Sequence, residues 1–257
     1  MSIDEITILP GHRRDGKQES FNRITIRAGE IVSIVGSTGS GKTALINDIE
    51  VFARKDTVTG RTVLINGDFP DDALVRDPSR KPIALISQNT KCLADLTVSG
   101  FLEMHVRARK IGNDRIVERT VALANEFTGE GIANGMRMTS LSGGQTRSLL
   151  IADAIEISNA PLILLDEVES GGIFKDKVMT LLEKYGKSVL FVTHDPLLAL
   201  LAGRRIIMKN GGIEQVLVPG NKEQAVIDSL SQMNEVISSL RERVRAGEIL
   251  ADARCPA

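Results

Sequence analysis

A glycine-rich loop of eight residues near the amino terminus has the residue types and the spacing that bind phosphate groups. Its members are Gly36, Ser37, Thr38, Gly39, Ser40, Gly41, Lys42 and Thr43. Glycines allow the backbone to fold so that several N–H groups point at one spot, and loops of the pattern G-x-x-x-x-G-K-[ST] hold phosphates in this way. Lys42 would reach the β- and γ-phosphates, and the Thr43 hydroxyl would bind Mg²⁺. The loop therefore predicts a binding site for a nucleoside triphosphate with magnesium.

Two acids at the end of an apolar run supply a second set of chemical groups. Asp166 and Glu167 directly follow residues 162–165, "LILL". A carboxylate at the carboxyl end of a buried strand can bind Mg²⁺ through water, which makes Asp166 a predicted metal ligand. Glu167 would then face the attacking water as general base. Apolar strands often end in acids, so it is the combination with the glycine-rich loop that indicates a P-loop nucleoside triphosphatase.

A Ser-Gly-Gly sequence stands at the start of a helical pattern farther along the chain. It lies within residues 141–145, "LSGGQ", which contain no acid, no base and no strong nucleophile. The N–H groups and the dipole at a helix amino terminus attract anions, so this stretch could form a second phosphate site. Taken alone, the motif would favour an ordinary helix cap at Ser142 over a phosphate site.

The order of these motifs resembles that of the ATP-binding cassette (ABC) ATPases. The P-loop is followed by a glutamine after a strand, then by "LSGGQ", "LILLDE" and "VTHD", and the resemblance covers residues 3–218. It implies that two cassettes associate head to tail, so that each nucleotide is held by the P-loop of one copy and the signature motif of the other. The signature residues implied to contact the nucleotide are Ser142, Gly143, Gly144 and Gln145.

The resemblance also implies roles for single residues and a pair of cofactors, ATP and Mg²⁺. Gln88 corresponds to a glutamine that helps to ligate Mg²⁺ and senses a transmembrane partner. His194 corresponds to a histidine that contacts the γ-phosphate and holds the general base and the water in line. The implied catalytic residues are Lys42, Gln88, Glu167 and His194. The implied metal ligands are Thr43, Gln88 and Asp166.

Two segments depart from the family pattern. Most transporter cassettes read Pro-Thr-Ser-x-Leu-Asp after the acid pair, whereas residues 168–173 of this chain read "VESGGI". This puts in doubt the usual hydrogen bonding across the dimer, though not nucleotide binding. The aromatic residue that stacks on adenine is also missing, and residues 11–14, "GHRR", stand in its place. His12 or Arg13 could stack on the purine instead, a plain surface loop is the alternative, and selectivity for ATP over GTP is left open.

Hydrophobic patterning indicates the elements that must carry these residues. Three apolar runs, at 83–86, 162–165 and 189–193, are typical of a parallel sheet covered on both faces. More alternating runs near the amino terminus favour an antiparallel β layer, and helical patterns occupy 97–112 and 114–127. The sequence predicts an α/β fold: a P-loop NTPase core with a parallel sheet, an amino-terminal antiparallel β layer and an inserted α-helical subdomain.

The predicted domain division separates a cassette from a tail. Residues 1–220 form the ABC ATPase domain, with the helical subdomain inserted at about 92–152, and 221–257 form an amphipathic helical tail. Apolar residues of the tail have heptad spacing: Val226, Leu230, Met233, Ile237, Leu240 and Val244. Packing of this helix on its own domain is favoured over a seam for a partner or a second copy, because the heptads are few.

The bulk composition limits the class of function. Of the 257 residues, 42% are hydrophobic and 25% charged, and the formal net charge is -1, so nucleic acid is not an expected partner. Cys92 and Cys255 lack the spacing of metal ligands and fit a reducing cytosol. No apolar run is long enough to cross a bilayer. If the protein works at a membrane, we expect another chain to provide the crossing.

We expect the chain to be the ATP-binding and ATP-hydrolysing subunit of an ABC transporter. It would dimerise around two ATP·Mg²⁺, with a second copy of itself as the expected cassette partner, and drive a separate transmembrane permease. The expected location is cytoplasmic, or peripheral on the inner face of the cell membrane through that partner. The alternative is a soluble ABC-type ATPase of a non-transport complex, which the unusual segment 168–173 and the heptads of the tail favour.

Overall fold

Nine strands and seven α-helices are present in the part of the chain that the computed structural model describes, residues 3–87, 95–166, 180 and 182–250. The strands are β1 (Glu5–Leu9), β2 (Ile24–Arg27), β3 (Ile31–Val35), β4 (Thr62–Ile65), β5 (Ile83–Ile86), β6 (Leu162–Leu165), β7 (Ser188–Val192), β8 (Arg204–Lys209) and β9 (Gly212–Leu217). The helices are α1 (Lys42–Glu50), α2 (Asp72–Arg76), α3 (Val98–Ala108), α4 (Ile116–Phe127), α5 (Gly143–Glu156), α6 (Pro196–Leu201) and α7 (Gln224–Arg245).

The larger sheet brings several chain segments to one edge. Its strand order is β5-β6-β7-β3-β8-β9, and all neighbours are parallel except β8 and β9. Parallel strands end at the same edge, and ligands of such sheets bind outside the carboxyl ends. The P-loop follows β3, Asp166 follows β6, and His194 lies two residues after β7. Since β6, β7 and β3 are neighbours, the topology gathers these three segments.

Both faces of this sheet are buried, which explains its apolar strands. In β6, Ile163 and Leu165 belong to one hydrophobic cluster, whereas Leu162 and Leu164 belong to another, because successive side chains of a strand point to opposite faces. The first cluster includes residues of α3, α4 and α5. The second cluster joins the sheet to α1 and to the amino-terminal layer. The strand that carries the P-loop is therefore held between two layers.

The amino-terminal layer is an antiparallel sheet of order β2-β1-β4. Ile6 and Ile8 of β1 point into the second hydrophobic cluster, as the alternation of their strand requires. This layer, the parallel strands and the helices between β5 and β6 confirm the predicted α/β fold class.

The hairpin formed by β8 and β9 is absent from the sequence prediction. Its turn residues Asn210 and Gly211 have φ angles of 52° and 80°. Asn-Gly pairs favour positive φ at both positions of a two-residue hairpin turn. The dipeptide Asn210-Gly211 could therefore have indicated this hairpin in the sequence. The hairpin matters for the site because its turn lies against the P-loop.

Three helices occupy the region predicted as an inserted subdomain. Helix α3 begins at the cap residue Thr97, whose Oγ1 accepts a hydrogen bond from the backbone N–H of Gly100 at 3.1 Å. Helix α4 packs against α5, which ends at Glu156, beyond the predicted limit of about 152. The subdomain bounds and the division at residue 220 remain predictions.

The carboxyl-terminal helix α7 is amphipathic and only partly covered. It contacts α6, and Ile227 and Leu230 are half-buried. Met233, Ile237 and Val244 are 60%, 47% and 58% exposed, so a large part of the heptad face has no cover in the described chain. No helix within the described ranges combines the length and the apolar character that crossing a bilayer requires.

Candidate nucleotide-binding site

The P-loop connects β3 to α1 in a backbone conformation that needs glycine. Gly39 and Gly41 have φ angles of 78° and 102°, which side chains with a Cβ rarely adopt. A Cβ on Gly36 would lie 2.5 Å from the carbonyl oxygen of Met208, and one on Gly41 would lie 2.9 Å from Cα of Gly211. The loop is thus both strongly curved and tightly packed against the β8–β9 hairpin.

Polar groups of this loop are available for an anion. Among the described residues, the N–H groups of Gly39 and Gly41 have no acceptor, and the buried hydroxyl of Ser40 has no hydrogen-bond partner. The Nζ atom of Lys42 donates to the carbonyl oxygens of Gly36 at 2.8 Å and Ser37 at 3.1 Å, so its ammonium group lies across the loop. Unused N–H groups, a helix amino terminus and a cation are what a phosphate chain requires.

A cavity of about 300 Å³ opens at this loop. Its walls combine the P-loop with the ends of neighbouring strands. The residues that line it include Arg14, Thr38, Lys42, Thr43, Asp166 and His194. The cavity therefore brings together the predicted phosphate-binding lysine, the predicted metal ligands Thr43 and Asp166, and the predicted histidine.

The residues present fit a magnesium ion. Mg²⁺ prefers oxygen ligands and is usually held by one or two carboxylates together with substrate phosphates. The Thr43 hydroxyl and the Asp166 carboxylate are such oxygens, and both line the cavity that would hold the phosphates. The third predicted ligand, Gln88, and the predicted general base, Glu167, lie outside the described residues.

His194 stands at the cavity on a segment with a well-defined backbone. The Thr193 hydroxyl accepts a hydrogen bond from the N–H of Asp195 at 3.0 Å. The Asp195 carboxylate caps α6 by accepting the N–H of Leu197 at 2.9 Å. Both neighbours of His194 are thus tied to the backbone, and His194 itself is exposed and lines the cavity.

The signature motif forms the amino terminus of α5. Ser142 and Gln145 make a reciprocal capping box, in which Ser142 Oγ accepts the N–H of Gln145 at 3.2 Å and Gln145 Oε1 accepts the N–H of Ser142 at 2.9 Å. The Ser142 hydroxyl also donates to Glu130, and the buried Gln145 amide donates to the carbonyl oxygen of Gly131 at 3.0 Å. Ser142 therefore caps the helix, which is the alternative that the sequence offered for this residue.

The capping box still leaves part of the motif open to a ligand. Ser142 and Gly143 are exposed, and a Cβ on Gly143 would meet nothing within 4 Å. The N–H groups of Gly143 and Gly144 have no acceptor within the described ranges. None of the four signature residues lines the P-loop cavity of its own chain. A helix cap and an anion site for another molecule are thus compatible at α5.

The residue of the amino-terminal loop that faces the cavity is Arg14, which the sequence did not identify. His12 and Arg13, the residues considered for stacking on a purine, do not line the cavity. Arg13 forms an ion pair of 2.8 Å with Glu214, and the ring of His12 lies beside Gly60. The β8–β9 hairpin determines which of these neighbours faces the P-loop, and that hairpin was missed.

A buried ionic cluster behind the cavity was also missed. Arg61 is fully buried and donates to Glu19 through Nε at 2.9 Å and Nη2 at 2.7 Å, and to Asp48 through Nη1 at 2.9 Å. Its Nη2 also donates to the carbonyl oxygen of Gly211 at 3.1 Å. Asp48 lies on α1, so the cluster links the helix that follows the P-loop to the hairpin turn. Its members are too far apart in sequence for a spacing argument to find them.

The buried ionic cluster shifts the pKa values of Glu19 and Arg61. Burial alone would raise the pKa of Glu19, but hydrogen bonds from Arg61, its positive charge and the N–H groups of Gly11 and Ile213 outweigh burial and lower that pKa. Burial would likewise lower the pKa of Arg61, yet hydrogen bonds and charge from Glu19, and then from Asp48, raise it above its ordinary value. The folded protein therefore favours the charged forms of both residues.

Comparisons with known proteins agree with this geometry. The ABC transporter family matches residues 22–170. The uncharacterized ABC transporter ATP-binding protein MJ0121 of Methanocaldococcus jannaschii is 45% identical over 250 residues, which cover 97% of this chain and 96% of that protein. The spermidine/putrescine import ATP-binding protein PotA of Mannheimia succiniciproducens is 28% identical over 77% of this chain, which spans 52% of PotA.

A solved structure extends the likeness to three dimensions. The dimeric, post-hydrolysis state of the ATP-binding cassette MJ0796 bound to ADP and Pi superposes with a TM-score of 0.66 at 27% identity, covering 84% of this chain and 99% of that one. The family match, the 45% identity to MJ0121 and the P-loop cavity all point to one assignment. The chain belongs to the ABC transporter family, as one of its ATP-binding cassettes with an ABC-type ATPase fold and activity.

Proposed function

We propose that this chain is the nucleotide-binding subunit of an ABC transporter, which binds ATP with Mg²⁺ and hydrolyses it to drive a separate membrane permease. The observation that carries the proposal is the cavity at the ends of β3, β6 and β7. There Lys42, Thr43, Asp166 and His194 converge on the unused N–H groups of the P-loop.

Each residue has a role that follows from its chemistry. Lys42 balances charge on the β- and γ-phosphates, while Thr43 and Asp166, with Gln88, would hold Mg²⁺. Bound magnesium supplies positive charge where negative charge develops on the phosphate oxygens. Glu167 accepts a proton from the attacking water, and His194 holds the γ-phosphate in line with that water.

A second copy of the chain would complete the site. Ser142, Gly143, Gly144 and Gln145 do not line their own chain's cavity, although α5 begins with N–H groups at Gly143 and Gly144 that have no acceptor among the described residues, and Gly143 is exposed. Head-to-tail association of two copies would bring the α5 terminus of one to the γ-phosphate held by the other. The dimeric form of the MJ0796 cassette supports this arrangement.

Binding and turnover of ATP by three variants test the nucleotide site. Lys42→Ala should remove most ATP affinity, because the phosphates lose their main cation, whereas Lys81→Ala, a lysine paired with Glu50 outside the cavity, should bind normally. Glu167→Gln should bind ATP but hydrolyse it at least about a hundredfold more slowly, the usual contribution of a general base. Unchanged affinity of Lys42→Ala by calorimetry, or wild-type turnover by Glu167→Gln, would refute the proposed roles.

The membrane partner needs a test of its own. Purification of the tagged chain from detergent-solubilised membranes of its native host should recover a multi-span protein in stoichiometric amount. The names of MJ0121 and PotA, both transporter ATP-binding proteins, support this expectation. Recovery of the chain in a stoichiometric complex of soluble proteins alone would contradict the transport role and favour the non-transport ATPase.

A further inference from the structure

We propose that Arg14 is a second cation for the triphosphate, acting beside Lys42 and independently of the base. The proposal rests on the proposed nucleotide site and deepens it, because it names a residue that neither the motif pattern nor the comparisons assign. It also gives a chemical role to residues 11–14, which stand in the place of the family's purine-stacking aromatic residue.

The position of Arg14 carries the proposal. Its side chain lines the P-loop cavity together with Gly39, Lys42 and Thr43. Its Nη1 atom lies 3.9 Å from the point that a Cβ on Gly39 would occupy, so the guanidinium reaches the phosphate-binding loop itself. Within the described part of the chain this guanidinium forms no ion pair, whereas the neighbouring Arg13 is paired with Glu214. An exposed cation with no ion-pair partner among the described residues therefore lies at the cavity.

The β8–β9 turn holds Arg14 against the P-loop. The N–H of Arg14 donates to the carbonyl oxygen of Asn210 at 3.0 Å. A Cβ on Gly211 would lie 2.6 Å from Cγ of Arg14, so the side chain crosses the turn where only glycine leaves room. The N–H of Gly211 donates to the carbonyl oxygen of Ser40 at 2.9 Å. One turn thus contacts both the arginine and the loop.

The buried cluster fixes the backbone on both sides of this contact. Glu19 accepts the N–H of Gly11 at 2.9 Å and that of Ile213 at 2.6 Å, while Arg61 donates to the carbonyl oxygen of Gly211. The two ends of the loop that carries Arg14 are therefore tied to the hairpin. A preorganised arginine loses less freedom when it binds than one on a mobile loop.

The chemistry of the side chain selects the phosphates as its ligand. A guanidinium offers a planar set of charged donors that matches phosphate oxygens. Every nucleoside triphosphate carries the same phosphates. Loss of Arg14 should therefore weaken ATP, GTP and inorganic tripolyphosphate by the same factor and leave the ratio of ATP to GTP affinity unchanged.

The test is equilibrium binding of these three ligands with Mg²⁺ to the full chain, by calorimetry. Arg14→Ala should weaken each of them about tenfold, the effect of one charge-assisted contact. Arg14→Lys should restore part of the loss, because it keeps the charge but not the planar fork. Arg13→Ala is the matched control and should bind all three as the wild type does. Circular dichroism checks that the variants remain folded, as expected for an exposed side chain.

Three results would overturn the proposal. The first is that Arg14→Ala binds all three ligands with wild-type affinity. The second is that Arg13→Ala binds them more weakly while Arg14→Ala does not. The third is that Arg14→Ala binds ATP more weakly but tripolyphosphate as tightly as the wild type does, which would indicate contact with the base. Failure of the nucleotide site itself would look different, because Lys42→Ala would then bind all three ligands as tightly as the wild type does.

Discussion

Glu19 ties three chain segments together through one carboxylate. It accepts hydrogen bonds from Arg61 and from the backbone of the β1–β2 loop and of β9, and its side chain is fully buried. Removal of one partner from a buried ion pair leaves the other charge uncompensated, which is more costly than the pair itself is stabilising. The stability of the fold around the cavity should therefore depend strongly on this residue.

We predict that Glu19→Gln lowers the free energy of unfolding by about 3 kcal/mol at pH 7, because Arg61 keeps only Asp48 as a charged partner. The folded pKa of Glu19 is lowered from its ordinary value of 4.5, so its stabilising contribution is fully present above pH 4.5 and is lost as pH falls through the folded pKa. The difference between wild type and variant should accordingly shrink below pH 4.5. Urea unfolding between pH 7 and pH 3.5 measures it.

Asp72→Asn is the matched control, since Asp72 pairs with Arg54 at the surface. Exposed pairs contribute about 0–1 kcal/mol, so this variant should change little at either pH. A Glu19→Gln variant as stable as the wild type at pH 7, or a difference that grows toward acid, would contradict the account of the cluster.

At the scale of elements, α5 combines a structural cap with a proposed ligand site. Ser142→Ala removes the cap and should lower the free energy of unfolding by about 1 kcal/mol. If the motif also grips a nucleotide on a second copy, ATP turnover should fall by tenfold or more, roughly one lost hydrogen bond to a charged group. Stability and steady-state hydrolysis are measured on the same preparation.

Thr97→Ala provides the comparison, because Thr97 caps α3 through an equivalent hydrogen bond to Gly100 N. Thr97→Ala should lower the free energy of unfolding by a similar amount while leaving ATP turnover near the wild-type rate. Equal losses of turnover in the two variants would mean that Ser142 acts only as a cap.

The elements also mark the limit of what the sequence could predict. Strands β5 and β6 are found at their predicted bounds, because uniformly apolar runs between turn residues leave little choice of structure. Helix α7 spans 224–245 and lies within the amphipathic helical tail that was expected over 221–257. The β8–β9 hairpin was missed because its strands mix charged and apolar residues at the edge of the sheet.

The same limit applies to the site. Motif spacing identified Lys42, Thr43 and Asp166, and the family resemblance added His194; the fold brings all four to one cavity. Arg14 and the Arg61 cluster could not be identified, because their positions depend on a hairpin contact between distant parts of the chain. Sequence patterns identify residues that lie on, or directly after, a recognisable helix or strand. They do not identify residues that are brought together only by contacts between distant parts of the chain.

At the scale of the whole molecule, the P-loop cavity and the signature motif are separate surfaces of one chain. The cavity is lined by the ends of the sheet, and the signature motif stands at the start of α5, outside that lining. At any one nucleotide, a single copy with this arrangement can supply the contacts of the P-loop but not those of the signature motif. We therefore expect ATP to join two copies of the chain.

The most direct test is the molar mass of Glu167→Gln, measured by light scattering with saturating ATP and Mg²⁺. One chain has a mass of 27.8 kDa, and we predict twice that mass with ATP but a single chain with ADP. Adding Gly143→Asp to this variant should keep the chain monomeric with ATP bound, since a carboxylate would repel the partner's γ-phosphate at a position with free space for a side chain. A mass of one chain at full ATP occupancy of Glu167→Gln, or a dimer that persists with Gly143→Asp, would contradict the account.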